Sequence, residues 1–511
     1  MTSILTNTSA MVALQTMKQI NQNLYKVQSE ISTGKSIATA KDNAAIWAIS
    51  KVMESDVKGF KGISDSLAVG SSTISVGRQA AEAITDLLTE IKGKIVAAQA
   101  ENFDRAKIQT DIVALRDQIA TVTGAAQFNG LNLIQGTDDM NVLASLDRAS
   151  NGNVTASNIT VARQDLTTAT GTYGAGTSLA ANAVVQNSAT TVASAGKTAE
   201  VTFAATWAAG DTASLTVAGV AVSYTALSGT VADIATAFAG SINALGLAGI
   251  TASNSAGVLT ITSTRGFEGV AVAQTSTTAG TGTSDITAVN GAAPSGTNTA
   301  AASSIRQRAE EIDLSTTATL NEGDGYKVTI GASSYNYVAG KGETMEDVAR
   351  GLKVAVDSAA VTGIRTSVTQ DATSGQWTLN VDNDGTGSAS LGFSATGNAG
   401  GVASGGLYGL DAINVTTKAG AASALSNIET MISRSIDASA AFGSSQNRID
   451  IQRDFVGKLT DALKAGIGSM VDADMEEASA RLQALQVQQQ LSTQSLSIAN
   501  QAPQNILALF R

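Results

Sequence analysis

Both ends of the chain carry long seven-residue apolar repeats, and the stretch between them does not. A stripe of that seven-residue period needs a partner helix. Each end finds its nearest candidate at the opposite end of a 511-residue chain. The pattern therefore implies a hairpin: a long helical coiled-coil rod built from both termini, with β-rich (α+β) outer modules inserted in the middle. Such a shape suits a building block better than a catalyst.

The first stripe runs Leu14, Met17, Ile20, Leu24, Val27, Ile31 and stops near Gly34, a residue suited to closing a helix. After the polar loop TGKSIATAKDN, Asp42 or Asn43 can cap a second helix. One frame then runs Ile46, Ile49, Met53, Asp56, Phe60, Ile63, Leu67, Gly70, Ile74, Gly77, Ala81, Ile84, Leu88, Ile91, Ile95, Ala98. Only Asp56 breaks it. At about 1.5 Å per residue this helix would be about 80 Å long, and its sustained period predicts a left-handed supercoil. Gly70 and Gly77 each cost roughly 1 kcal/mol of helix stability against Ala, and would let a neighbour come close.

A third helix follows Asn102 with Ile108, Ile112, Leu115, Ile119 and Val122, ending at the hairpin signal QFNG, residues 127–130. The period restarts at Leu425, Ile428 and Ile432 and continues at Val456, Leu459 and Leu463. Past Gly466 and Gly468, a last amphipathic stretch from Met475 carries Leu482, Leu485, Leu491, Leu496 and Ile498. Pro503 is expected to interrupt it, leaving an apolar tail of Ile506, Leu507, Leu509 and Phe510.

Residues 140–418 are rich in Thr, Ser, Ala and Gly and contain an internal repeat. GDTASLTVAGVAVSYT from Gly210 matches GDGYKVTIGASSYNYV from Gly323, TVADIA from Thr230 matches TMEDVA from Thr344, and GVLTI from Gly257 matches GQWTL from Gly375. Each copy reads as hairpin, helix, hairpin, with a helix from Val231 to Leu245 in the first copy and a helix start at Thr344-Met345-Glu346-Asp347 in the second. Stretches 165–200 and 273–305 are of low complexity and are expected to be linkers or irregular edges. DNDG at 382–385 has a superficial likeness to a calcium loop, but Phe393 stands where a bidentate Glu would be needed, so a hairpin turn is expected.

Composition removes several function classes. Histidine and cysteine are both absent, which excludes a Ser-His-Asp triad, a Cys-His pair, an HExxH zinc site and disulfides. No residue set points to catalysis, a cofactor or a metal. A net charge of −11 argues against nucleic acid and anionic membrane as partners. The opening MTSILTNTSA lacks the basic start and apolar centre of a cleaved signal, and no run is long enough for membrane insertion.

The ends resemble bacterial flagellin, the subunit of the flagellar filament. The matching words are SILTNTSAMVAL, TGKSIATAKDNAA and GAAQFNGLNLIQG in residues 1–150, then SSQNRID and SLSIANQAPQNILALFR in residues 420–511. The resemblance implies an inner terminal-helix domain (1–41 with 470–511), a helical rod with a β-hairpin (42–165 with 418–469), and two variable β-rich modules at 166–305 and 306–417 (repeat copies about 210–272 and about 323–396). It implies a secreted, extracellular subunit, exported unfolded by a type III apparatus, that polymerises into a helical homopolymer for swimming. Implied partners are other copies of itself, the export apparatus, an export chaperone covering Met475 to Phe510, the filament cap and hook-associated proteins. The terminal stripes listed above would be the filament-assembly residues. Ile46, Ile49, Met53, Phe60, Ile63, Leu67, Ile84, Leu88, Ile91 and Ile95 would be the rod seam.

Many flagellins carry QRVRELAV, read by the Toll-like receptor that senses flagellin. The aligned stretch here is TEIKGKIV, with Thr89, Glu90, Ile91 and Lys92 leading, and Glu90 replaces the first Arg. Two rival readings remain: a low-copy hook–filament junction protein with the same terminal logic, and a flagellin-like carrier with an enzyme in its central insert. The absence of histidine removes the metalloprotease form of the latter.

Overall fold

The computed structural model describes residues 7–148, 153–227, 230–277, 282–293 and 302–509. It opens with helices α1 (Thr8–Thr33), α2 (Ala44–Gln99) and α3 (Arg105–Ala125). Two hairpins follow, β1 (Gln127–Phe128) with β2 (Leu131–Asn132), and β3 (Met140–Arg148) with β4 (Val154–Val161). Next come β5 (Ala183–Val185), β6 (Thr191–Ala193), β7 (Lys197–Ala204), β8 (Thr212–Val217), β9 (Val220–Thr225) and α4 (Val231–Ala244). The chain continues through β10 (Ile250–Ser255), β11 (Val258–Ser263), β12 (Val270–Thr277), β13 (Thr283–Val289) and β14 (Ala302–Ile305). Then follow β15 (Glu310–Leu314), β16 (Gly325–Ile330), β17 (Ser333–Val338), α5 (Met345–Ser358), β18 (Ile364–Gln370), β19 (Trp377–Asn383) and β20 (Ser390–Asn398). Helices α6 (Lys418–Val471) and α7 (Met475–Leu509) close it, so helical termini flank a β-rich middle. Contacts divide the chain into two units: Met1–Ser75, Asp139–Val161 and Gly443–Arg511; and Val76–Asp138 with Ala162–Phe442.

In the first unit, Asn7 caps α1 by accepting from the Ala10 N–H at 3.0 Å, and Gly34 closes it at φ +70°. Of the two candidate caps for α2 it is Asn43 that serves, accepting from Ala45 and Ile46 N–H at 3.2 Å each. Asp42 instead closes the preceding loop, accepting from the N–H groups of Thr39 and Ala38 and from the Thr39 hydroxyl. Those bonds, the Thr39 N–H first, hold its carboxyl below the usual aspartate value. The β3–β4 hairpin lies on the small residues of α2. A Cβ at Gly70 would sit 2.8 Å from both Val142 methyls, and one at Gly59 would sit 3.1 Å from Leu146 Cδ1. The gap in the apolar frame at Gly70 is thus a seat for Val142, while Ile63 and Leu67 beside it are fully buried.

The second unit holds two kinds of core. Ile84, Leu88, Ile91 and Ile95 of α2, Ile112 and Ile119 of α3, and Ile428, Met431 and Phe442 of α6 are all at most 1% exposed. Ser435 of α6 bonds across to Ala81 O and Thr85 Oγ1, each at 2.9 Å. The β1–β2 turn has both Asn129 (φ +51°) and Gly130 (φ +81°) in the left-handed region, which is why Asn-Gly occurs there.

The repeat folds as two modules of one design. The first has antiparallel sheets ordered β10-β11-β7-β13 and β14-β12-β8-β9, the second β18-β19-β15-β5 and β17-β16-β20-β6. Each has a helix started by a reciprocal Thr/Asp box, Thr230 with Asp233 and Thr344 with Asp347. Phe203 stacks on Phe238 (centroids 5.4 Å apart) in the first core, whereas Tyr326, Val348, Leu352 and Leu379 fill the second. The orders show a permutation. The places of β13 and β14 in the first module are taken in the second by β5 and β6, which lie upstream of the first. The first module is therefore inserted within the second. The low-complexity stretches accordingly hold paired strands, β5 and β6 as sheet edges in 165–200, and β13 and β14 in 273–305.

Two further expectations are corrected. DNDG is no hairpin turn, because β19 and β20 on either side belong to different sheets. Asp382 is instead held by Arg308 in a buried two-point pair (2.7 and 2.8 Å), and Asn383 bonds Val192 O and Ser388 O. Pro503 does not interrupt the last helix, since α7 runs through it to Leu509. A helical proline leaves the carbonyl four residues back without its N–H partner. That carbonyl belongs to Ala499, and it accepts from Asn7 Nδ2 at 2.8 Å. Similarly, α6 continues past Gly466 and Gly468 to Val471.

Candidate assembly interface

Helices α1 and α7 pair along their length within the first unit. Asn7 at the start of α1 meets Ala499 near the end of α7, Asn21 Oδ1 accepts from Gln489 Nε2 at 2.7 Å, and Gly34 O accepts from Ala473 N–H at 3.0 Å. Those three contacts make the pair antiparallel. Ser36 N–H also donates to Val471 O at 2.8 Å, tying the two chain segments together at one end.

The seam buries only part of the apolar stripe. Leu24 and Val27 are buried; Met17, Ile20, Ile31, Leu482, Leu485 and Leu496 are half-buried; Leu14, Leu491 and Ile498 are exposed. Ile506, Leu507 and Leu509 belong to α7 but their side chains, like the whole of Phe510, lie outside the described residues. Between the apolar contacts the seam is polar: besides Asn7, Asn21 and Gln489, Ser492 is buried at 7% exposure.

The pair consequently leaves large apolar side chains on the outer side of each helix uncovered. Met11 (65% exposed), Val12 (64%), Leu14 (45%) and Tyr25 (71%) lie on α1, and Val487 (55%), Leu491 (56%) and Ile498 (69%) on α7. Met11, Val12, Tyr25 and Val487 fall outside the seven-residue frame, so counting a single stripe passes over them. Their signal was an apolar residue at positions where a two-helix hairpin wants a polar one. Seven large apolar side chains exposed on one helix pair make it a candidate interaction surface.

The rod-seam residues divide in a similar way. Ile63 and Leu67 in the first unit, and Ile84, Leu88, Ile91 and Ile95 in the second, are fully buried. Nearer the start of α2, Ile46, Met53 and Phe60 are half-buried and Ile49 is 52% exposed. In the TEIKGKIV stretch, Ile91 is core, Thr89 Oγ1 donates to Thr85 O at 2.8 Å, Lys92 pairs with Glu429 of α6, and Glu90 is exposed.

Among the described residues no group of three or more carboxylate, His or Cys side chains is placed to hold a metal, and no helix is long and apolar enough to cross a membrane.

Comparison with known proteins bears on the same segments. Residues 4–139 match the family model of the bacterial flagellin N-terminal helical region, and residues 425–510 that of the C-terminal helical region. Flagellin A of Rhizobium meliloti strain 1021 is 30% identical over 520 residues, covering all of both chains. Another Rhizobium meliloti flagellin A is 28% identical over 518 residues, again covering both chains in full. The crystal structure of flagellar hook associated protein-3 from Legionella pneumophila aligns with 82% of this chain and 98% of its own, at 8% identity and a TM-score of 0.33.

Proposed function

The chain belongs to the bacterial flagellin family, and from that premise we propose that it is a structural subunit, exported unfolded, that polymerises through its terminal helices into a flagellar filament for swimming. The observation that carries this reading is the set of uncovered apolar side chains on the two paired helices, Met11, Val12, Leu14 and Tyr25 on α1 and Val487, Leu491 and Ile498 on α7. A two-helix hairpin with such side chains uncovered is poorly stable alone, because helix formation is costly without a surface to pack on. Packing these side chains against neighbouring subunits supplies that surface, so ordering of the ends accompanies assembly. The rod seam from Ile63 to Ile95 and the β-rich modules then have their cores complete before assembly and are carried into the polymer as folded units.

The partners are those that membership of the family implies. An export chaperone would cover α7 before secretion, with the filament cap and hook-associated proteins engaging the ends of the polymer outside the cell. Shearing surface filaments from the producing cells and weighing this chain against the total tests the reading. As the filament subunit it makes up the bulk of the sheared mass. A few copies per filament would make it a hook–filament junction protein instead.

A further inference from the structure

Helix α5 of the second module is buried at every residue from Gly351 to Val356, and α6 reaches it through the side chains of Asn427 and Arg434. At this contact Lys353 Nζ donates to Asp357 Oδ2 at 2.6 Å and to Asn427 Oδ1 at 2.8 Å. Asp357 is fixed from its other side, its Oδ1 accepting from Thr366 Oγ1. Lys353 and Asn427 are each 6% exposed, and the Asp357 side chain is 4% exposed. An amine, a carboxamide and a carboxylate thus share one water-poor site, with the Lys353 amine bonded to both of the others. We propose that Lys353 and Asn427 join as an intramolecular isopeptide bond, with Asp357 carrying the protons.

The chemistry balances without any co-reactant. Asp357 takes one proton from the Lys353 ammonium, turning two buried charges into two neutral groups. The freed Nζ lone pair attacks Cγ of Asn427, the Nζ–Cγ bond forms, and the carbonyl pair moves onto Oδ1. Asp357 gives its proton to Nδ2 and takes a second from Nζ. The carbonyl re-forms, the Cγ–Nδ2 bond breaks and ammonia leaves, with Asp357 protonated beside a neutral amide. A hydrogen bond from Nζ to Oδ1 already sets the amine beside Cγ, and holding two reactants in contact replaces a bimolecular encounter with an internal step. Asp357 touches the nitrogen whose protons must move, the placement that acid–base catalysis needs.

The first module lacks the set. Ala239 stands at the place of Lys353 and Asn243 at that of Asp357, and both amide atoms of Asn243 are spent on the Ala252 backbone at 2.8 Å. The three groups therefore occur where a module meets α6, not as a feature of the repeat, and the bond would fasten that module covalently to the helix.

Intact-mass spectrometry of the folded full-length chain, followed by peptide mapping after denaturation, tests this. The expected mass is lower than the sequence mass by one ammonia, with a single linked pair of peptides containing Lys353 and Asn427. Asp357→Asn and Lys353→Met should each restore the full mass and the separate peptides. A wild-type chain that keeps its full mass after prolonged incubation in the folded state overturns the proposal. So does loss of ammonia without the linked pair, which would place the loss elsewhere, such as at Asn129-Gly130. Cross-linking that persists in Asp357→Asn would overturn the role given to Asp357.

Discussion

Replacing Val487, Leu491 and Ile498 together by serine strips α7 of its exposed apolar face without touching the seam with α1. These side chains are 55%, 56% and 69% exposed in the subunit. Burying a whole side chain of this size contributes about 1.5–3 kcal/mol. With somewhat more than half of each still to be covered, assembly gains roughly 1–1.5 kcal/mol per residue, or about 3–4 kcal/mol for the three. At about 1.4 kcal/mol per tenfold, the critical concentration for polymerisation should rise by roughly two to three orders of magnitude. Subunit stability should move by no more than about 0.5 kcal/mol per site, because exposed positions away from caps and cores are tolerant. The assay is seeded polymerisation, with unassembled protein measured in the supernatant after sedimentation and thermal unfolding of the β-rich modules followed in parallel. A critical concentration within about threefold of the wild type, on the same scale of about 1.4 kcal/mol per tenfold, would refute the assignment of this face to assembly.

Two smaller perturbations and one receptor assay probe other parts of the account. Gly70→Ala places a methyl 2.8 Å from the Val142 methyls and should destabilise the first unit by about 1–3 kcal/mol, with Val142→Ala on the same chain recovering most of it; urea unfolding reads both. Asn7→Ala removes a helix cap and the partner of Ala499 O, at about 1 kcal/mol each; Pro503→Ala should recover roughly the second part by supplying the missing N–H, which amide exchange along α7 in the polymer would detect as a coupling between the two sites. The chain should stimulate the flagellin-sensing Toll-like receptor weakly, because exposed Glu90 presents a negative charge where the family motif has a positive one, while Ile91 is core and Lys92 is paired. A reporter-cell response as strong as that to a motif-bearing flagellin would contradict this.

What could be read from residues alone was what depends on local spacing. The frame from Ile63 to Ile95, the stop at Gly34, the Thr/Asp boxes of α4 and α5 and the Asn129-Gly130 turn each rest on residues within one or two turns of each other. Contacts distant in sequence were out of reach. Whether Pro503 breaks a helix depends on Asn7, and whether Asp382 binds a cation depends on Arg308. Three-residue strands such as β5 and β6 carry too little alternation to announce themselves, and their place in the second module follows from which sheet edges were open. On the paired end helices, apolar character alone did not separate Leu24, spent inside the pair, from Leu491, left outside it.

The measurement closest to the central claim compares the intact chain with one lacking residues 1–34 and 473–511, by electron microscopy under the same precipitant. The intact chain should grow filaments, and the shortened one should keep its folded modules and remain unassembled. Filaments of ordinary length from the shortened chain, or none from the intact chain under any polymerising condition, would contradict the account.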